Sequence, residues 1–313
     1  MAANPMVCMM MLFSILTPQK GWFAPDQPIN VTVKAPAPVN LFLTNFAGLS
    51  IEAKGSVVVD GEKTVDIKTM FPDVATPGTY ILYAVPKDKP NKEFVGTPLL
   101  LSVRADNRQG APPGMMVVKV EPLCYAIMTT DKGPMTLGFY YDVAPNTVDS
   151  FLRLSATGFY DGLTFHRIIK DFVIQGGDPR GDGSGGPGYT VEAEFNERKH
   201  DPGVLSMART GDPNEAGGAM PRCEFANSAG SQFFVCLNYA QTQQLDRRYT
   251  AFGRVVSGMD TVNAIANVEI ADPEAGRPKT PPKILKVEVK PVVAKENPYP
   301  KMMEMIYPSA IKQ

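Results

Sequence analysis

The chain has 313 residues, 44% of them apolar, with 31 Lys plus Arg against 32 Asp plus Glu for a formal net charge of -1. That length is about two domains at roughly 150 residues each, the composition can bury a core, and the charge balance removes the electrostatic case for a nucleic-acid or anionic-membrane partner. Two histidines, His166 and His200, are too few for a multi-histidine metal site.

The first apolar run, residues 6–16, is too short for a bilayer span of about 20 residues. No Lys or Arg precedes it and no small-x-small cleavage site follows, so it reads as a buried strand in a cytoplasmic protein, with an exported or periplasmic chain as the alternative. From there to residue 104, strand-like runs at 7–15, 29–34, 39–44, 56–59, 64–70, 79–85 and 98–103 alternate with Pro, Gly and Asp turns. This spacing predicts an N-terminal β-sandwich of immunoglobulin-like architecture over 1–105. Asp60-Gly61 is its best hairpin signal. The lone tryptophan, Trp22, reads as packing. The polar stretch 106–114 (DNRQGAPPG) reads as a linker.

Beyond it, 117–120, 124–129 and 135–141 are strand-like. A helix then opens at Pro145, shows Val148, Phe151, Leu152 and Ser155 on one face, and stops at Gly158. A second helix is predicted over 260–266 and a closing strand over 284–290. The second domain is therefore placed at 115–292. The proline-broken tail, 293–313, is too interrupted for a long element, though Met302, Met303, Met305, Ile306 and Tyr307 could dock on either domain.

The cysteines, Cys8, Cys124, Cys223 and Cys236, contain no CxxC pair and are expected as buried free thiols. Gly181, Gly183 and Gly186 fit G-x-G-x-x-G, but Pro187-Gly188-Tyr189 follows where a dinucleotide site needs a helix. There is no Gly-Lys dipeptide, no G-x-S-x-G and no H-E-x-x-H. A Ser-His-Asp triad would need His166 or His200 as its base, and nothing in the sequence supports one. His200, in ERKHDPG, reads as a solvated loop residue.

The informative stretch is FHRIIKDFVIQGGDP, residues 165–179, in which Arg167 sits in an apolar strand context. Such an arginine can simply lay its stem on a sheet and its head in water. Alternation across the Lys170-Asp171 turn offers a second reading, in which Arg167, Ile169, Phe172 and Gln175 share a shallow pocket. In GSQFFVCL, Gln232 and Phe234 lie two apart and so on one side of a strand.

With GDGSGG, LSMAR, GSQFF and LDRRYTAFGRVVSGMD following in order, the chain resembles a cyclophilin-type peptidyl-prolyl cis-trans isomerase over about residues 123–289. The resemblance implies a closed eight-stranded antiparallel β-barrel capped by two helices, hence a mainly β chain. It places the family's active-site arginine on Arg167, its proline-pocket residues on Phe172, Phe234 and Leu245, with Val173 for the usual Met, and its pocket glutamines on Gln175 and Gln232. Ala208 and Arg209 fall on the edge that meets the residue before proline, Arg209 replacing an Asn. Gly183 falls on the glycine-rich rim, and Tyr249 stands where many members carry His.

Rotation of an X-Pro bond needs no metal and no cofactor. The implied partners are proline-containing polypeptide clients, with an unread protein partner for the N-terminal domain. A proline-binding adaptor with little turnover is the competing reading. Gln244 stands in place of a tryptophan that helps bind cyclosporin, so weak inhibition is expected. Residues 215–226 (EAGGAMPRCEFA) interrupt a stretch that is continuous or nearly so in the family. They read either as a tolerated surface loop or as a lid over the residue before proline.

Overall fold

The computed structural model describes residues 15–89, 93–106 and 110–307. The chain divides into two compact units, Met1–Cys124 with Pro291–Asn297, and Tyr125–Lys290 with Pro298–Gln313. The strand expected at 7–15 lies outside the described residues, except for its last position.

In the first unit, β-branched and apolar runs form β1 (Leu16–Pro18), β2 (Trp22–Phe23), β3 (Asn30–Lys34), β4 (Val39–Asn45), β5 (Ser50–Ile51), β6 (Val58–Val59), β7 (Glu62–Asp66), β8 (Gly78–Pro86), β9 (Val95–Ala105) and β10 (Met116–Pro122). One sheet runs β1-β3-β7. The other runs β2-β10-β9-β8-β4-β5, with β6 also on β4. Alternation sets the faces: Val31 and Val33 of β3 are buried, while Thr32 bonds Thr64 at 2.9 Å on the exposed side. Leu16, Val33 and Val65 from the small sheet join Leu41, Leu82, Leu101 and Val120 from the large one in a single core cluster. Each such buried side chain contributes about 1.5–3 kcal/mol. The Trp22 ring faces Arg104 and Lys119, each 5.7 Å from its centroid.

Three expectations are corrected in this unit. Asp60-Gly61 does not close a hairpin, because β6 pairs with β4 and β7 with β3, so the turn carries the chain from one sheet to the other. The strand expected over 64–70 ends at Asp66, whose carboxylate accepts from the Lys68 N–H at 3.1 Å and caps the short helix α1 (Ile67–Met70). The stretch 106–114 is not a linker. It connects β9 to β10, which pair antiparallel from Ala105↔Met116 to Leu99↔Pro122, so the division falls at Cys124 and the second unit does not start at 115.

The second unit contains β11 (Cys124–Thr130), β12 (Gly133–Phe139), β13 (Arg167–Ile169), β14 (Val173–Gly176), β15 (Val204–Met207), β16 (Phe233–Cys236), β17 (Ala251–Ser257) and β20 (Ile284–Pro291) in one sheet, ordered β13-β14-β16-β15-β17-β12-β11-β20. The small hairpin β18 (Ile270–Asp272) and β19 (Arg277–Pro278) stands apart. The sheet is an open path of eight strands, and Thr164 makes only isolated bridges, to Asp178 and Lys283.

Both expected helices form, α2 (Pro145–Ala156) against β17, and α5 (Met259–Ala266) against β12 and β14. Between them lie the short turns α3 (Cys223–Ala226) and α4 (Tyr239–Thr242). Ala144 offers α2 no side-chain cap. Glu194 supplies it from a distant loop, accepting from the N–H groups of Asn146 and Thr147 at 3.0 and 2.8 Å. The core is aromatic: the Phe151 ring lies 4.9 Å from Tyr160, 5.3 Å from Phe252 and 5.6 Å from Phe233.

The tail is shared between the two units. Pro291–Asn297 belongs to the first unit, and α6 (Tyr299–Ile306) folds onto the second with Met302 fully buried. Pro300 lies in its first turn, where no intrahelical N–H bond is lost. Among the described residues no helix is long and apolar enough to cross a membrane.

Candidate active site

Strand register assembles the site. Arg167 on β13 faces Gln175 on β14, Gln175 faces Phe234 on β16, and Phe234 faces Ser206 on β15. Four residues from four strands thus form one row across the sheet. The β13–β14 turn needs a left-handed residue and has Asp171 at φ 60°, a conformation that Asp tolerates better than most.

Along this row the polar groups are chained. Arg167 Nη1 donates to Gln175 Oε1 at 3.2 Å, and Gln175 Nε2 donates to Gln232 Oε1 at 3.0 Å. Gln232 Nε2 in turn donates to the carbonyls of Gly183 and Gly185, both at 2.9 Å. The chain fixes the amide orientations, and Arg167 keeps further N–H donors beyond the one given to Gln175. Burial lowers the Arg167 pKa from its ordinary value, and Tyr249 works against that shift. Guanidinium stays protonated in proteins, so the group remains a cation.

Beneath the rim lies Asp178, 1% exposed, which sequence reasoning missed. Its carboxylate accepts from the N–H groups of Arg180, Asp182 and Gly183 at 2.8, 3.1 and 2.5 Å. A Cβ at Gly185 would meet Asp178 Oδ1 at 2.0 Å, so only glycine fits there.

The apolar side is Phe234 and Leu245, 5% and 8% exposed, with the half-buried Tyr249 ring edge-on to Phe234 at 5.8 Å. Leu245 accepts from the Tyr249 N–H at 3.1 Å, which ties these two residues into one turn. The Ala208 N–H donates to the Gln232 carbonyl at 2.9 Å. Val173 is buried two positions before Gln175 on the same strand and faces Cys236, not Phe234. Phe172 is half-buried in the preceding turn. Gln244 is exposed and donates to the Gln241 carbonyl at 3.1 Å.

His200 is not solvated. It is 0% exposed, its Nδ1 2.9 Å from Asp246 Oδ1 and its Nε2 3.0 Å from Ser206 Oγ. A carboxylate only accepts, so Nδ1 carries the proton and Nε2 accepts from the serine hydroxyl. The structure therefore does assemble a Ser-His-Asp constellation, but Ser206 is fully buried and its hydroxyl has no access to a substrate. The His200 ring lies 6.2 Å from Phe234 at 24°, beneath the apolar wall. Cys124 and Cys236 are buried, their pKa raised by burial, whereas Cys223 is exposed, contrary to expectation. A cavity of about 360 Å³ lies elsewhere in the unit, lined by Tyr140, Asp142, Arg198, Arg254 and Tyr307, and includes no residue of this cluster.

The model of the family described as cyclophilin type peptidyl-prolyl cis-trans isomerase/CLD matches residues 125–289, more than half of the chain. The chain belongs to this family. A peptidyl-prolyl cis-trans isomerase of Synechococcus elongatus is 46% identical over 129 residues, 41% of this chain and 78% of the relative. The isomerase CYP18-2 of Arabidopsis thaliana is 41% identical over 167 residues, 52% of this chain and 91% of the relative. A crystal structure of a Cryptosporidium parvum cyclophilin-type isomerase in the presence of the dipeptide Ala-Pro is 30% identical. It covers 54% of this chain and 99% of that one, with a TM-score of 0.46.

This cyclophilin is thus a peptidyl-prolyl cis-trans isomerase. Its rim yields a direct expectation. Gly185→Ala displaces the Asp178 carboxylate and the carbonyls that hold Gln232, so kcat/KM should fall about tenfold, the effect of losing roughly 1.4 kcal/mol of transition-state stabilisation. A protease-coupled assay measures this, and wild-type activity in the folded variant would detach the rim from the site.

Proposed function

We propose that Arg167 is the catalytic cation of the isomerase, that Phe172, Phe234 and Leu245 with Val173 hold the proline ring, and that Gln175, Gln232, Gly183, Ala208, Arg209 and Tyr249 shape the pocket around them. The observation that carries this reading is the hydrogen-bonded row from Arg167 through Gln175 and Gln232 to the glycine rim, with Phe234 in register beside it. Twisting an X-Pro amide breaks its resonance against a barrier of about 18–20 kcal/mol. The prolyl nitrogen then regains a lone pair and accepts a hydrogen bond that the planar amide cannot. A guanidinium held at that point binds the twisted state better than either planar one, the condition for catalysis. Lowering the barrier by about 7 kcal/mol would accelerate the rotation roughly 10⁵-fold.

Truncating the grip separates binding from chemistry. Phe234→Ala should raise KM about tenfold or more while leaving kcat less affected, because the lost apolar contact is made in both ground and twisted states. NMR exchange on an Ala-Pro peptide reads both constants. A fall confined to kcat would count against the pocket assignment.

The finer architecture belongs to the same proposal. We infer that the eight-stranded sheet closes into a barrel through residues 162–168, since the Phe165 N–H donates to the Pro282 carbonyl at 2.9 Å and the Ile168 N–H to that of Gly276 at 2.7 Å. The shared core of the two N-terminal sheets supports a β-sandwich. Proline-containing polypeptides, met during folding in the cytoplasm, are the proposed clients, with the N-terminal unit binding a protein partner. Fractionation of cells and capture of partners on the isolated N-terminal sheets against the full chain would test these assignments.

A further inference from the structure

The excursion 212–227 is tied down at both ends. Asp212, its side chain fully buried, accepts from the Arg222 N–H at 2.9 Å and from Arg222 Nε at 3.0 Å. Asp212 also accepts from the Asn214 N–H at 3.0 Å, and Glu215 returns the bond by accepting from the Asp212 N–H at 3.0 Å, a capping box that starts the turn over 213–217. Gly218 ends that turn in the left-handed region at φ 84°, and its carbonyl accepts from Arg248.

Glu215 also faces inward. It takes Arg209 in a bidentate pair, Nη2 at 2.6 Å and Nη1 at 3.0 Å, with the Arg209 side chain only 2% exposed. Arg209 Nε donates to the Arg248 carbonyl at 3.2 Å, and Nη1 donates to that of Thr210 at 3.0 Å. Four of the five N–H donors are thereby engaged within the protein, so this guanidinium is not a free contact for a substrate. Its Cζ lies over the Tyr249 ring, 4.2 Å from the centroid, and Tyr249 is edge-on to Phe234. One packed line runs from the excursion to the apolar wall: Glu215, Arg209, Tyr249, Phe234.

We propose that this excursion is a buttress, in which Glu215 and Arg209 act as positioning residues that fix the Tyr249 ring and so set the width of the proline pocket. Neither residue touches the reacting bond. A delocalised fork suits Arg209 because the same group sits over an aromatic ring and gives two N–H bonds to one carboxylate, which the point charge of a lysine ammonium does not reproduce. Beside the two readings above, a tolerated surface loop or a lid over the residue before proline, this gives the excursion a role at the wall that grips the ring. The inference rests on the reading of Phe234 and Tyr249 as part of that pocket.

The test uses the full chain carrying 3-fluorotyrosine. Its 11 tyrosines give ¹⁹F resonances, and Tyr249→Phe identifies that of Tyr249. Glu215→Gln keeps the cap but not the charge, and Arg209→Lys keeps the charge but not the fork. Both should shift or broaden the Tyr249 resonance selectively and raise KM for Ala-Pro peptides roughly threefold to tenfold with kcat nearly unchanged. Arg222→Ala, at the exposed outer tie, should do the same more weakly. Unchanged Tyr249 resonance and KM in folded Arg209→Lys and Glu215→Gln would overturn the buttress. A resonance that moves while KM does not would also overturn it, since the ring would then not set the pocket. Full activity in Arg167→Ala would instead undo the pocket reading and leave the ¹⁹F result standing.

Discussion

Arg167→Ala is expected to lower kcat/KM by about 10²- to 10³-fold, the loss seen when one preorganised donor to a transition-state charge is removed. The loss should fall on kcat, because the proline ring is gripped by Phe234 and Leu245, which the substitution leaves in place. Arg167→Lys should be nearly as damaging. Arg167 already gives one Nη1 hydrogen to Gln175 at 3.2 Å, and an ammonium, although it has three donors, lacks the rigid fork that holds that glutamine while aiming a second donor at the prolyl nitrogen. Folding should be little affected, since Arg167 is only half-buried and makes no ion pair among the described residues. Equal rates for wild type and Arg167→Ala in an NMR-exchange or protease-coupled assay would refute the mechanism. A large fall in kcat with unchanged peptide binding would also exclude the adaptor reading, in which the pocket binds without turning over.

The parts of the site that could be read from the sequence are those set by period-two alternation on short strands. Gln232 and Phe234, two apart in GSQFF, do both lie beside Gln175, and the Lys170-Asp171 turn does reverse the chain so that Arg167 meets Gln175. What escaped is set by contacts distant along the chain. Asp60-Gly61 states that the chain turns but not which strand its arms will meet, and here they join different sheets. The polar composition of 106–114 describes a long hairpin connection as well as it describes a linker. His200 sits among Glu, Arg, Lys and Asp, so its neighbours suggest water. The fold nevertheless brings Asp246, 46 positions away, to its backbone N–H at 2.8 Å and its ring at 2.9 Å, and tucks the ring under Phe234. Arg209 in place of Asn was visible as a departure. Its meaning needed Glu215 and Tyr249 in space.

His200→Ala is expected to cost about 3–4 kcal/mol of the second unit's stability, combining a ring-sized cavity with a buried Ser206 hydroxyl left unpaired. Asp246 keeps two partners, the backbone N–H of residue 200 and the Tyr239 hydroxyl at 2.9 Å, so it is not the main source of the loss. His200→Gln, which can still bond one side, should lose less.

The wild-type protein should also carry a pH signature. Burial lowers the His200 pKa below its ordinary value, against the opposing pull of Asp246, and burial lowers that of His166 as well. Both rings are therefore neutral in the folded state where the unfolded chain, with a pKa of about 6.5, takes up protons. Stability is full above that value and is lost as pH falls from about 6.5 toward the depressed folded values. Glu215 and Glu288 are held below the ordinary carboxylate range, so their contributions are lost only at more acidic pH. The sole tryptophan, Trp22, lies in the first unit, whereas both histidines lie in the second. Urea midpoints at pH 7.5 and 5.5 must be read from isomerase activity or pulse proteolysis of the second unit. His200→Gln should flatten the difference between the two midpoints, leaving the part due to His166. The same slope in variant and wild type would mean that His200 takes up its proton equally in the folded and unfolded chain, and a steeper slope in the variant would mean that the ring is kept protonated in the fold and donates to Ser206 instead of accepting from it.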